Sequence, residues 1–241
     1  MKKTHLYLFL SAAIAVSISL SSCNMACKKG SGNVKSETRT INNFSQLSLE
    51  GGSYKVILTQ GPTVSLKITG DDNLMGDIES DVSGNKLTVK TEGNICPSGE
   101  TVLNITVKDL SYLGTSGMLD ISSDGKITTK DIEFDFSGTT KLTLNLEAAN
   151  VTTTGSGMID LTLTGQATTH KVAISGSAQV DALDFVVGKY DIESSGAGSY
   201  KINVLTNLKV NTSGTSDIQY RGNPANVDNN QSGAGSIKKI D

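Results

Sequence analysis

The chain has 241 residues, of which 37% are hydrophobic, 19% charged and 5% aromatic, with no Trp, 25 Gly and 3 Pro; that is too apolar for a disordered polymer and allows one or two compact domains. Three Cys exclude a disulfide scaffold, and two His leave so little for metal chemistry that no metal or other cofactor is expected. The 21 cations include only two arginines, Arg39 and Arg221, and against 24 acids they give a net charge of −3 with no basic patch, which excludes nucleic acid as the main partner.

Lys2 and Lys3 precede an apolar run from Leu6 to Leu20 that is short for a spanning helix and ends in small residues, the pattern of a secretory signal over residues 1–22. Leu20, Ser21, Ser22 and Cys23 resemble the bacterial lipobox, so Cys23 is expected to become a lipidated N-terminus, the alternative being an ordinary signal peptide followed by a chance Cys. Several acyl chains hold a protein to a membrane in effect permanently. Cleavage leaves 19 cations against 24 acids, a net −5, so the lipid rather than the folded body makes the membrane attachment. Asn24 after the lipidated Cys points to an outer-membrane lipoprotein rather than one retained at an inner membrane, facing either the periplasm or the cell surface. Residues 23–40, with Lys28, Lys29, Gly30, Ser31, Gly32 and Asn33, are polar and aperiodic and read as a flexible tether. Cys27 and Cys96 share an oxidising compartment, but with Cys27 in that tether the sequence leaves their pairing open.

From residue 41 the folded domain begins. Its part up to residue 110 is strand-rich and irregular: Leu47–Leu49, Tyr54–Leu58, Val64–Ile68, Lys86–Lys90 and Val102–Val107 alternate, and Asp71–Glu79 reads as a helical turn. This part is expected to cover the open first end of a repeating stack that starts near residue 111.

Over residues 111–241 a Ser-Gly dipeptide recurs: Ser116-Gly117, Ser137-Gly138, Ser156-Gly157, Ser175-Gly176, Ser195-Gly196, Ser213-Gly214 and Ser232-Gly233, with gaps of 21, 19, 19, 20, 18 and 19. Five places after each Ser stand Ile121, Leu142, Leu161, Val180, Tyr200, Ile218 and Ile237, all apolar. Two places further on come Ser123, Leu144, Leu163, Ala182, Ile202, Tyr220 and Lys239. Before the markers, Leu113, Phe134, Val172, Ile192 and Val210 form a third column, and Ile132, Val151, Tyr190 and Leu208 a fourth. A spacing of two within each repeat is that of a strand with one buried face. Each repeat therefore predicts two short strands about a turn, where Gly supplies positive φ and Ser bonds neighbouring backbone. Stacked at about 4.8 Å, seven such coils make a β-solenoid of roughly 30 Å. A meander of antiparallel hairpins is the competing arrangement.

The run Leu49-Glu50-Gly51-Gly52-Ser53-Tyr54-Lys55-Val56-Ile57-Leu58-Thr59-Gln60-Gly61, then Gly70-Asp71-Asp72-Asn73-Leu74 and the Ser-Gly repeats, resembles the head GIN domain family of Bacteroidetes lipoproteins over about residues 41–241. The resemblance implies an all-β fold, a right-handed parallel β-helix similar in outline to pectin lyases, a role in adhesion and no catalytic residues. Lys108 stands where the family pattern has Pro before Asp109-Leu110, a departure that touches a turn.

Parallel β-helices also host polysaccharide lyases and glycosidases, whose sites need clustered acids and often Ca²⁺. Asp120, Asp160 and Asp217 share one slot, but Lys141 and Gln179 interrupt it, and His170 stands in the fourth apolar column where a hydrogen-bonded imidazole is expected. No nucleophile motif, phosphate loop or metal-ligand spacing appears. Tyr190, Tyr200 and Tyr220 fall in different slots, and the Thr pairs at 128–129, 139–140 and 168–169 are out of register, so neither an aromatic glycan platform nor an ice-binding face is supported. The sequence thus reads as a non-catalytic envelope lipoprotein that binds a glycan or a protein on a host or neighbouring cell, with homo-oligomer formation open. A polysaccharide-active enzyme and a periplasmic structural or accessory lipoprotein are the alternatives.

Overall fold

In the computed structural model, which describes residues 27–241, alternation governs nearly every segment: buried apolar side chains take every second position and polar ones face solvent. The signal peptide and Cys23 lie outside the described residues. The strands in chain order are β1 (Lys28–Lys29), β2 (Val34–Arg39), β3 (Gln46–Gln60), β4 (Ser65–Asp71), β5 (Ile78–Ser83), β6 (Lys86–Thr91), β7 (Ile95–Cys96) and β8 (Thr101–Val107). They continue as β9 (Tyr112–Thr128), β10 (Asp131–Ile174), β11 (Ser177–Ser194), β12 (Ala197–Thr212), β13 (Thr215–Arg221), β14 (Asn226–Gln231) and β15 (Ser236–Lys239). A 3-10 turn at Asp72–Asp77 falls where the sequence predicts a helical turn. The chain is all-β: β1 and β7 pair apart, and the other 13 strands form one mixed sheet.

In the repeat half the neighbours run parallel, β9 with β10, β10 with β11, β11 with β12, β12 with β13 and β14, and β13 with β15. A meander of hairpins would pair them antiparallel. Ser137 sits opposite Ser116, Met158 opposite Ser177, Ser177 opposite Ala197, Ala197 opposite Thr215 and Asp217 opposite Ser236. These offsets of 21, 19, 20, 18 and 19 residues reproduce five of the six Ser-Gly gaps. Length differences are taken up elsewhere in the lap: the β11–β12 register passes from Ala182 opposite Ile202 to Val186 opposite Asn203, leaving Leu183–Phe185 as a bulge whose Phe185 fills the core.

The first two apolar columns are buried as far as Ile218 and Ile202, and the third and fourth as far as Val210 and Leu208. Val227 and Ile237, at the end of the stack, are left exposed or half-buried. Buried polar residues on the same inward face find each other. Thr115 bonds Thr140 (2.8 Å), and Ser194 bonds Ser216 (3.1 Å) and receives the Tyr200 hydroxyl (3.0 Å). Buried His170 joins Thr153 through Nε2 and Tyr190 through Nδ1, each at 3.0 Å, which meets the need of an imidazole removed from water.

Two expectations change. Of the seven marker glycines only Gly117, Gly138 and Gly157 have positive φ, and these lie within continuous strand runs rather than between strands. What all seven share is crowding: a Cβ at Gly138, Gly157, Gly176, Gly196, Gly214 or Gly233 would come closer than 3.0 Å to the carbonyl oxygen of the marker glycine one lap earlier, and at Gly117 to that of Gly51. Each lap therefore rests backbone on backbone at this corner, and only hydrogen fits. The second change is at the N-terminus, where residues 27–39 do not behave as a tether. β1 lies parallel to β7, β2 pairs antiparallel with β4, and Cys27 is disulfide-bonded to Cys96 with Cα atoms 5.6 Å apart. A polar segment without a period carries no sign of such pairing, because its partners lie far along the chain.

The region before residue 111 does more than cover an end. β3 lies parallel to β9, with Val56 opposite Ile121, and β8 and β6 lie parallel to β3, with Leu103 opposite Val56 and Leu87 opposite Leu47. The parallel stack therefore begins before the first Ser-Gly marker. Antiparallel β4, β2 and β5 then close that end.

Candidate functional site

Stacking strands of one period places equivalent residues above one another, so any surface feature of one lap becomes a ladder. The position after the marker is such a place. Met118 follows Gly117 and Met158 follows Gly157, with Thr139 on the lap between, and both methionines are 61% exposed, which is unusual for large apolar side chains. They form the floor of a cleft of about 570 Å³ that also takes in Tyr54, Lys55, Leu119, Asp120, Lys141 and Asp160. Its far wall is the segment Pro97, Gly99, Glu100 and Thr101, just beyond the disulfide-bonded Cys96.

That wall is fixed from behind by one carboxylate. Asp71, at the end of β4, is buried and accepts bonds from the Ser98 N–H (2.8 Å), the Ser98 hydroxyl (2.6 Å) and the Gly32 N–H (2.7 Å). These donors, Ser98 foremost, hold its carboxyl below the usual carboxylate range against the opposing effect of burial. Gly30 passes so close that a Cβ there would overlap the Asp71 carboxylate. On the near side, Tyr54 bonds Thr91 through its hydroxyl, and burial raises the phenol above its ordinary pKa.

Along the rim, charges meet in pairs. Lys55 reaches Glu100 at 3.6 Å and Lys141 reaches Asp120 at 3.7 Å, all four side chains about half exposed or more, so each pair contributes little to stability. Asp160 stands opposite Gln179, and Asp217 accepts from the Ser236 hydroxyl at 2.7 Å. The three aspartates of the shared slot are thus on one ladder and not in one group, and among the described residues no three His, Cys, Asp or Glu side chains come together. His170 is remote from this surface, and burial lowers its pKa to about 3, so it is neutral. Tyr190 and Tyr200 are core residues.

A second groove, of about 700 Å³, runs along the marker corner over the later laps. Ser175, Ser195, Ser213 and Ser232 line it with Asn211 and Asn230. The Ser137, Ser175 and Ser232 hydroxyls also bond backbone carbonyls of the preceding lap. Met118 and Met158 were legible as the two large residues one place after a marker, but alternation alone gave them no significance. Asp71, Ser98 and the Pro97–Thr101 wall carry no local sign of their role.

The sequence pattern described as "Putative auto-transporter adhesin, head GIN domain" matches residues 43–224. The chain belongs to the head GIN domain family. Solved structures with the same fold include a "putative adhesin" from Bacteroides fragilis, 20% identical, with a TM-score of 0.83 and coverage of 88% of this chain and 100% of that one. A "putative lipid binding protein" from Parabacteroides distasonis is 18% identical, with a TM-score of 0.71 and coverage of 89% and 99%. A "putative adhesin" from Parabacteroides merdae is 22% identical, with a TM-score of 0.66 and coverage of 89% and 99%. At these identities the likeness is one of fold. No curated protein matches the chain. The head GIN match spans the cleft, both of its methionines and six of the seven marker pairs.

Proposed function

We propose that this head GIN protein is a non-catalytic cell-envelope lipoprotein, anchored through Cys23 in the outer membrane, whose solenoid walls bind a glycan or a protein of a host or neighbouring cell. The chain would wind as a right-handed parallel β-helix, with the Ser-Gly pairs from Ser116-Gly117 to Ser232-Gly233 as its recurring corner. The parallel registers, with offsets equal to the marker gaps, support the winding. The observation that carries the functional reading is the groove along the marker corner, where Ser175, Ser195, Ser213 and Ser232 with Asn211 and Asn230 present hydroxyl and amide groups and Glu193 is the one acid. Such a surface offers hydrogen bonds to a sugar or a peptide. Glycosidic cleavage instead asks for two carboxyls converging on one bond. The adhesin names of the related structures agree with this reading.

The test is to screen the purified full-length protein against a glycan array and immobilised extracellular-matrix proteins, with turnover assays on the same polysaccharides. Saturable binding that the double variant Asn211→Ala/Asn230→Ala weakens, without product formation, is the expected result. Release of reducing ends or unsaturated uronides would overturn it. Protease accessibility on intact cells separates a surface-facing protein from a periplasmic one.

A further inference from the structure

The disulfide changes what the N-terminus does. Read as a tether, residues 23–40 would let the folded body wander far from its membrane. With Cys27 bonded to Cys96 and Gly32 held by Asp71, only four peptide steps of sequence separate Cys23 from a residue fixed to the body. Fully extended, these reach about 14 Å. The anchoring point is also beside the cleft, since Cys27 and Cys96 have Cα atoms 5.6 Å apart and Pro97, the next residue, is already part of the cleft wall. The wall therefore starts within about 10 Å of Cys27. The large side chains that line the cleft with that wall, Met118 and Met158, are unbranched, apolar and 61% exposed, and buried Tyr54 lines the same cleft.

We propose that the Cys27–Cys96 bridge holds the cleft between the Pro97–Thr101 wall and Met118/Met158 against the lipid surface that carries Cys23, and that the cleft takes up an acyl chain of that bilayer. This rests on the lipidation of Cys23 proposed above. The chemistry suits it. Methionine side chains adapt to an apolar chain of variable shape, and a cleft of about 570 Å³ lies within the usual range for small-ligand sites. Lys55, Glu100, Asp120, Lys141 and Asp160 sit at the rim, where a lipid headgroup and interfacial water can solvate them. The leash supplies the rest by proximity, since a site held a few residues from its anchor meets bilayer lipid at a high effective concentration.

The experiment uses the full-length lipoprotein isolated from a bacterial envelope and reconstituted into vesicles of phosphatidylethanolamine and phosphatidylglycerol doped with a diazirine-acyl phosphatidylethanolamine. Flotation and the mass of the N-terminal peptide report lipidation. Irradiation and peptide mass spectrometry report where acyl chains lie. Adducts are expected on peptides containing Pro97–Glu100, Met118 and Met158, and the double variant Met118→Asp/Met158→Asp should lose them while still floating. A twelve-residue Gly/Ser insertion between Ala26 and Cys27 should keep flotation but lower the adduct yield about twofold, because only the coordinate normal to the bilayer is loosened, one third of the −3/2 power of linker length. A floating protein without cleft adducts overturns the proposal and leaves lipidation standing. So does an adduct yield that neither change alters, or adducts confined to residues 23–26. A protein that does not float and carries no lipid mass removes the lipidation reading, and this proposal with it.

Discussion

Residues 27–110 and residues 111–241 are built on the same parallel stack, yet different contacts hold each. In the later region every lap repeats the one before: an apolar column meets its own kind, and the marker glycines let backbone rest on backbone. The earlier region lacks that period. There a disulfide across a sequence separation of 69, an Asp71 carboxylate joining Gly32 to Ser98, and the antiparallel strands β2 and β4 bind segments distant in sequence. The difference teaches that a repeating chain specifies its neighbours through local periodicity. An aperiodic one needs individual cross-links, and those also build the one wall of the cleft that is not a ladder.

The largest expected effect is on the cross-linked side. Cys27→Ser removes a bridge closing a long loop, and the unfolded chain should gain entropy equivalent to about 4 kcal/mol of lost stability. Urea unfolding of the variant beside the oxidised protein measures it. A shift of less than about 1 kcal/mol would mean that β1 and its neighbours hold the first region without the bridge.

Acid should act on the repeat side through His170. Its folded pKa is about 3, against an ordinary value of 6.5, so below pH 6.5 the unfolded chain binds a proton that the folded one refuses. Stability is full above pH 6.5 and falls as pH drops toward 3, by about 3 kcal/mol between pH 7 and pH 4.5. His170→Gln should flatten this slope in pH-dependent urea melts, whatever it does to stability at pH 7. An unchanged slope would show that the imidazole is not the group responsible.

Gly196→Ala tests the marker corner. The added Cβ would be driven against the Gly176 carbonyl, and forcing the laps apart should cost about 2 kcal/mol. The smallest effect belongs to Gly76→Ala in the 3-10 turn, where nothing lies within 4 Å of the new Cβ and φ is not positive. There a change within about 0.5 kcal/mol, toward higher stability if anything, is expected from the stiffened unfolded chain. Thermal melts of the two variants side by side break the comparison if the alanines behave alike.

Much of the repeat half was legible. The Ser-Gly gaps predicted the register offsets lap by lap, and the residues five and seven places after the marker predicted which side chains are buried, from Ile121 to Ile218 and from Leu144 to Ile202. The role given to the marker glycine was only partly right, because a sequence reports that a position demands Gly without saying whether φ or a neighbour is the cause. For the cleft, Asp120, Lys141 and Asp160 could be assigned to one ladder from spacing alone. Pro97–Thr101 could not be placed opposite them, since that loop reaches the ladder through contacts at sequence separations that no period encodes.

By itself, the sequence determined the all-β character, the repeat length and the inward columns, because strand alternation and a 19-residue recurrence are local properties that each repeat states anew. Tertiary structure alone decided that Cys27 meets Cys96, that Asp71 joins two distant segments, and that the two exposed methionines face a wall. Those outcomes depend on where separate stretches of chain come to lie once the stack is closed at its first end, and a disulfide or a buried carboxylate forms only when that placement brings its partners within a few ångströms.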